Sequence, residues 1–408
     1  ENAAESPVRA GAHSWRIRFS PWVPGRYEWR LTAAAGTEQA VEKGSFTCVA
    51  GRAPGFVRLA EKDKRYFEFT GGDFYFPVGH NLRSPDDTRS ENRDPEVTEN
   101  VRWARKAGTR AYEKWFGRMR ENGENFTRVW MCPWWAGLEW NEAHQGYHGL
   151  DYYNQANAAR LDRIMEMAEK EGIYINLETM NHGALSTKVD DDWVQNPLNQ
   201  STQPGGYLRF ASEFFDSQKA QEAHRNKLRY TIARWGYSRA IAWWGVMTET
   251  EWVEGYFRSV RGHEASDKVP YVPWIPRPYE SHEYKEKVID WIDATCQYMA
   301  ETDAHPHPVS GHFSMAYYGE ELWRKKHVDV VHNNTYTELV EWWKAAPFAA
   351  DDGIADVITF YSSHYAPLAA AKPLMVGEWG GSPYGSDAGH LSAELHTGSW
   401  VMAMTRCA

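Results

Sequence analysis

The chain has 408 residues, 42% hydrophobic and 25% charged, with a formal net charge of −10 at pH 7. That length can bury a large core or hold two domains, and that charge argues against a nucleic-acid partner. No run of about 18 apolar residues occurs, so no membrane span is expected.

Glu1–Ser20 lacks the basic start and apolar core of a signal peptide. The chain is secreted or periplasmic if such a segment was removed, and otherwise cytoplasmic. Ser14–Phe19 and Arg26–Leu31 alternate apolar and charged residues with period two, the pattern of half-buried strands. Pro24-Gly25 between them is a turn signal, and Ser45–Val49 reads as a third strand. This gives a partial β-sandwich module over residues 1–58, too small to stand alone. Four cysteines (Cys48, Cys132, Cys296, Cys407) are widely spaced without a CxxC pair, which describes neither a zinc site nor a disulfide framework.

From Gly55 the pattern changes. Arg65–Phe69 and Asp73–Val78 read as a hairpin around Gly71-Gly72. Short apolar strands then alternate with helices. Tyr112–Asn122 is helix and Asn125–Cys132 strand. Asn157–Glu171 is an amphipathic helix with Leu161, Ile164, Met165 and Ala168 on one face, stopped by Gly172. Strands follow at Ile173–Met180, Ala240–Met247, Val309–Met315, Val328–His332 and Pro373–Val376. Helices are read at Ser217–Trp235, Ser281–Glu301, Glu320–Lys326, Asp356–His364 and His390–Thr405. Such alternation implies a parallel sheet. Counted from Phe74 there are seven strands. A doubly wound sheet competes, but no GxGxxG or GxxxxGK[ST] follows the first strand. The reading is α/β, a (β/α)8 barrel over residues 59–408.

The aromatic content is high, with 21 Trp, 22 Tyr and 16 Phe. Trp134, Trp135, Trp140, Trp193, Trp252, Trp274 and Trp379 fall near predicted strand ends or loops. Flat faces there suit stacking on sugar rings, although core filling also explains them. The rigid loop PYVPWIPRPY displays Tyr271, Trp274 and Tyr279.

Carboxylates at the C-terminal ends of barrel strands are where such enzymes keep catalytic groups. The strand ending AWWGVMTETEW delivers Glu249 and Glu251, and KPLMVGEWGG delivers Glu378. One carboxyl as acid/base and a second as nucleophile is the requirement for retaining glycoside hydrolysis. A rim Glu in a salt bridge is the plainer reading of either residue alone.

These residues carry a resemblance. The chain resembles the clan of retaining (β/α)8 glycoside hydrolases, with acid/base Glu after strand four and nucleophilic Glu after strand seven. More narrowly, it resembles cellulase-like members that carry a small β-sandwich before the barrel, whose linking segment reads much like GFVRLAEKDKRYFEFTGGDFYFPVGHNL at Gly55–Leu82. The resemblance implies Glu249 as acid/base and Glu378 as nucleophile, with Glu251 as fallback acid/base. It implies Arg128 beside the nucleophile and Tyr336 orienting it. It implies Asn81, Asn181 and His182, with His80, as sugar ligands, and Trp134, Trp135, Trp252 and Trp379 as aromatic surfaces. Thr248 stands where the family usually has the Asn that binds the sugar 2-hydroxyl. The implied activity is hydrolysis of β-glycosidic bonds in a poly- or oligosaccharide, with a carbohydrate as substrate and no cofactor or metal required; the oligomeric state is left open. A non-catalytic carbohydrate-binding protein on the same scaffold, or a transglycosylase, is the alternative. His305-Pro-His307-Pro reads as a turn, and Asp190-Asp191-Asp192 as a solvated loop or cap.

After GEWG, the helix His390–Thr405 leaves nothing for an eighth strand. The expectation is therefore seven parallel strands with a gap between first and seventh, in a fragment cut at both ends.

Overall fold

The computed structural model describes residues 5, 11, 16–86, 95–256, 259, 282–315, 318–336, 353–369, 371–380, 388–405 and 407. The expected loop aromatics Tyr271, Trp274 and Tyr279 lie outside them.

Strands β1 (Gly25–Ala35) and β2 (Glu38–Cys48) form an antiparallel hairpin, paired from Gly25↔Cys48 to Ala35↔Glu38. Their alternation suggested one buried face. Instead Trp29, Leu31, Val41 and Phe46 are all exposed, because the hairpin is a sheet of two strands only. Arg16–Phe19, expected as strand, runs without a ladder. A second sheet follows, of β3 (Val57–Leu59), β4 (Phe67–Phe69) and β5 (Phe74–Tyr75). Its β4–β5 turn uses Gly72 at φ 96°, a left-handed geometry that favours glycine.

Six parallel strands make the main sheet, in sequence order: β6 (Phe126–Trp130), β7 (Tyr174–Glu178), β8 (Ile241–Gly245), β9 (Val309–Phe313), β10 (Val330–Tyr336) and β11 (Leu374–Gly380). The helices are α1 (Pro95–Ala107), α2 (Arg110–Glu121), α3 (Gln155–Glu171), α4 (Gln218–Trp235), α5 (His282–Thr302), α6 (Glu320–Trp323), α7 (Ile354–Ala369) and α8 (Ala388–Thr405). Helix α3 begins where the Asn154 side chain accepts from the Ala156 and Asn157 N–H groups, and it stops at Gly172, φ 71°.

The expected seven strands are six. Asp73–Val78 does not start the barrel, because Phe74 and Tyr75 turn back to pair antiparallel with β4. Beside β6 this segment gives the Gly79 bridge to Phe126, with the Val78 and Arg83 carbonyls accepting from the Phe126 and Trp130 N–H groups, each at 3.1 Å. A Cβ at Gly79 would collide with the Phe126 carbonyl, so this approach requires glycine. At the other edge Cys407 bridges Leu374 of β11 in parallel. The position expected to be empty thus holds one residue, and a single bridge flanks each side of the six-stranded sheet.

The β3–β5 sheet sits against the N-terminal ends of the barrel strands. Val57, Phe67, Phe69 and Tyr75 pack with Phe126, Trp243, Val330 and Met375. Phe67 stacks on Trp243 with ring centroids 5.2 Å apart. This floor leaves the C-terminal ends of β6–β11 as the mouth.

Candidate active site

Glu378 lies near the end of β11, half-buried. Arg128, the middle residue of β6, donates from Nη1 to Glu378 Oε1 at 2.8 Å. Tyr336, the last residue of β10, donates its hydroxyl to Glu378 Oε2. Burial and the two carboxylates Glu378 and Glu249 push the Tyr336 hydroxyl well above its usual range, so it stays protonated and remains a donor. Arg128 is fully buried, with burial offset by Glu178, Glu378 and Glu249, which together hold its pKa above the ordinary value.

Glu249 follows β8. Its backbone is left-handed, φ 39° and ψ 57°, a strained geometry for a residue with a Cβ, and of the kind that clusters at functional sites. A closed set of hydrogen bonds fixes it there. The Glu249 N–H donates to His312 Nδ1 at 2.8 Å. His312 Nε2 lies 2.9 Å from Asn334 Oδ1, and Asn334 Nδ2 donates to Glu249 Oε1 at 2.7 Å. Because Nδ1 accepts, the imidazole proton is on Nε2, and the ring is neutral. Burial, Arg128 and His332 all push the His312 pKa well down, which agrees.

Thr248 and His182 are buried beside Glu249. Thr248 Oγ1 accepts the His182 N–H at 3.1 Å and lies 3.1 Å from His182 Nδ1. That nitrogen is 3.8 Å from Glu249 Oε2. Asn81 is exposed and donates to the Gly377 carbonyl at 2.7 Å, next to Glu378. Trp134 is half-buried, with the Arg83 guanidinium 5.8 Å over its ring and 4.7 Å over that of Trp130. Trp252 is half-buried and donates to Ser314 Oγ at 3.1 Å. The Trp379 ring lies against Gly398 of α8.

Four residues are used elsewhere. Trp135 is buried in the core, stacked on Tyr112 and under Arg160, so it offers no face to a ligand. Asn181 is buried, its amide donating to Asp192 Oδ2 at 3.2 Å. Glu251, the fallback acid/base, is fully buried and accepts from Ser314 N, Ser314 Oγ and Met315 N at 3.1, 2.8 and 2.6 Å. It fastens the loop after β9. Burial pushes its carboxyl up to about 7. His80 is exposed and pairs with Glu124.

Sequence reasoning missed Glu178, His312, His332 and Asn334. Each is a polar residue on a strand of the main sheet, fully or almost fully buried. That mismatch was the available signal.

No family model and no curated protein matches the chain. Among solved structures, it is similar to the endo-1,4-β-mannanase from Rhizomucor miehei, with a TM-score of 0.55 at 14% identity, over 86% of this chain and 89% of that one. It is also similar to the endo-1,4-β-D-mannanase from Thermotoga petrophila, with a TM-score of 0.50 at 14% identity, over 82% and 87%. These likenesses establish the fold, the (β/α)8 type that both mannanases share.

Proposed function

We propose that the chain is a retaining glycoside hydrolase acting on a β-linked poly- or oligosaccharide. One observation carries the reading. Two carboxylates at the ends of β8 and β11 share one mouth, each in a different electrostatic setting. Glu378 accepts from a buried guanidinium and a phenol, the setting of an anionic nucleophile. The Glu249 carboxyl accepts from the neutral Asn334 amide, while its backbone N–H donates to the neutral His312 ring, which suits a group that must alternate between acid and base.

Glu378 attacks the anomeric carbon while Glu249 gives its proton to the departing glycosidic oxygen. The ester between Glu378 and the sugar is then opened by water, whose proton passes to Glu249. The carboxyl groups are expected about 5 Å apart, the spacing that retention requires. A transglycosylase would share these steps, with a sugar hydroxyl replacing water. The non-catalytic alternative is a carbohydrate-binding protein on the same scaffold, motivated by Thr248.

The substrates to try first are β-1,4-mannans, because both solved relatives above are mannanases, followed by other plant and algal β-glycans and aryl β-glycosides. Release of reducing ends by the native chain and its loss in Glu378→Gln, with the β-anomer formed first by proton NMR, is the expected result. Binding without turnover would favour the non-catalytic reading, and first formation of the α-anomer would rule out retention.

A further inference from the structure

Beneath the two carboxylates at the mouth lies a third. Glu178 ends β7, fully buried, and its Oε1 accepts from Arg128 Nη2 at 3.2 Å. The same guanidinium gives Nη1 to Glu378. The other groups facing Glu178 are few. From its own strand, the Asn176 amide, oriented to satisfy both neighbours, donates to Oε1 at 2.9 Å and accepts from Trp243. From β10, His332 Nδ1 lies 3.9 Å away. Burial and Arg128 push that imidazole well below its usual pKa, so it is uncharged. From β8 comes only Gly245, where a Cβ would collide with Oε2. Oε2 itself has no hydrogen-bond partner. One cation therefore serves two carboxylates, one at the mouth and one sealed below.

We propose that Glu178 is a positioning residue that anchors Arg128 from below and divides its charge with Glu378, so that the protonation state of Glu178 sets how firmly the attacking carboxylate is held. Burial pushes Glu178 up to about 7, with Arg128 opposing and Glu378 adding to the rise. Near neutral pH it thus exchanges a proton while Arg128 stays charged. With Glu178 neutral, the whole guanidinium charge faces Glu378. The role in turnover rests on the glycosidase reading above, whereas the coupling between the two carboxyls does not.

Two measurements separate these. The first uses the full chain with its glutamate carboxyl carbons labelled, followed by NMR titration. Two buried Glu, Glu178 and Glu251, should titrate near neutral pH. The one that persists in Glu251→Gln and vanishes in Glu178→Gln should move to lower pH by about one unit in Glu378→Gln, the scale of a neighbouring like charge. An unmoved midpoint in Glu378→Gln overturns the proposal, whatever the enzyme does. Because that variant retains Glu178, the test survives any failure of Glu178→Gln to fold. The second is the ratio of kcat/KM in Glu178→Gln to that of the native chain on an aryl β-glycoside, followed across pH. It should be constant below about pH 6, where Glu178 is neutral in the native chain, and change above about pH 7, where it is charged. A ratio constant from about pH 5 to 8 also overturns the proposal. A native chain that turns over no glycoside would sink the glycosidase reading and leave the titration to decide the coupling.

Discussion

Asn334 donates its side-chain amide to Glu249 at 2.7 Å from the strand whose Tyr336, two residues on, donates to Glu378. Side chains two apart on a strand share a face. One strand, β10, therefore positions both carboxylates, and a shift in its register would displace both at once.

Asn334→Ala should remove the donor from Glu249 and free the Glu249 backbone from its ring of hydrogen bonds. A hydrogen bond to a charged group contributes about 1.5–3 kcal/mol, so kcat/KM should fall by roughly 10- to 100-fold. The loss should shrink for aryl glycosides with very acidic leaving groups, which need no proton from Glu249. An equal loss on both substrate types would mean that Asn334 does not act through the acid/base.

Tyr336→Phe keeps the buried ring and removes only the hydroxyl. It should lower kcat by about 10-fold or more, with the melting temperature nearly unchanged. Steady-state kinetics beside thermal unfolding checks this. A large drop in melting temperature would assign the residue to packing instead.

Gly245→Ala and Gly377→Ala should both destabilise the barrel. The first puts a methyl into the Glu178 carboxylate, and the second puts one into the His332 ring beside Arg128. Overpacking of this kind costs about 1–3 kcal/mol. Denaturant midpoints should fall in both variants. Gly117→Ala, on an open helix face with nothing within 4 Å, should not fall and serves as the control.

Stability should depend on pH in a way that Glu251 controls. Its folded-state value, about 7, lies above the ordinary 4.5. Between these values the folded chain binds more protons than the unfolded one, so this contribution falls as pH rises from about 4.5 to about 7. The buried histidines His224, His312 and His332 have the opposite sign, their values being pushed well below 6.5. Their contribution is lost as pH falls below 6.5. Glu251→Gln removes one term alone, so relative to the native chain it should gain melting temperature at pH 7.5 compared with pH 5. A constant difference between the two chains across that range would contradict the assignment.

The barrel walls were legible because each strand is a short apolar run between a helix and a Gly, Pro or polar stop. Asn157–Glu171 was read within two residues of α3, since its apolar face and Gly172 both point to the same limits. That Glu249 follows β8 and Glu378 lies near the end of β11 was legible from their places after such runs. Asp73–Val78 was misread because a strand pattern does not say which neighbour it joins. The turn at Gly72 sends Phe74 back to β4 and leaves the residues around Gly79 to meet the barrel. Trp135 was misread for a related reason: sequence places it after β6 but does not show that it faces Tyr112. Glu178 and His312 acquire meaning only from residues on other strands, a relation that no single-chain spacing encodes.

The floor of the barrel also has a temporal meaning. The β3–β5 sheet comes before every wall strand in the chain, yet Trp243, Val330 and Met375, which cover it, come from β8, β10 and β11. During synthesis Phe67 and Phe69 emerge before the wall residues they pack with, Phe126 of β6, Tyr174 of β7 and Trp243 of β8. Exposed aromatic surface on a waiting segment is the setting for aggregation. Phe67 gains its stacked Trp ring only once β8 has been made.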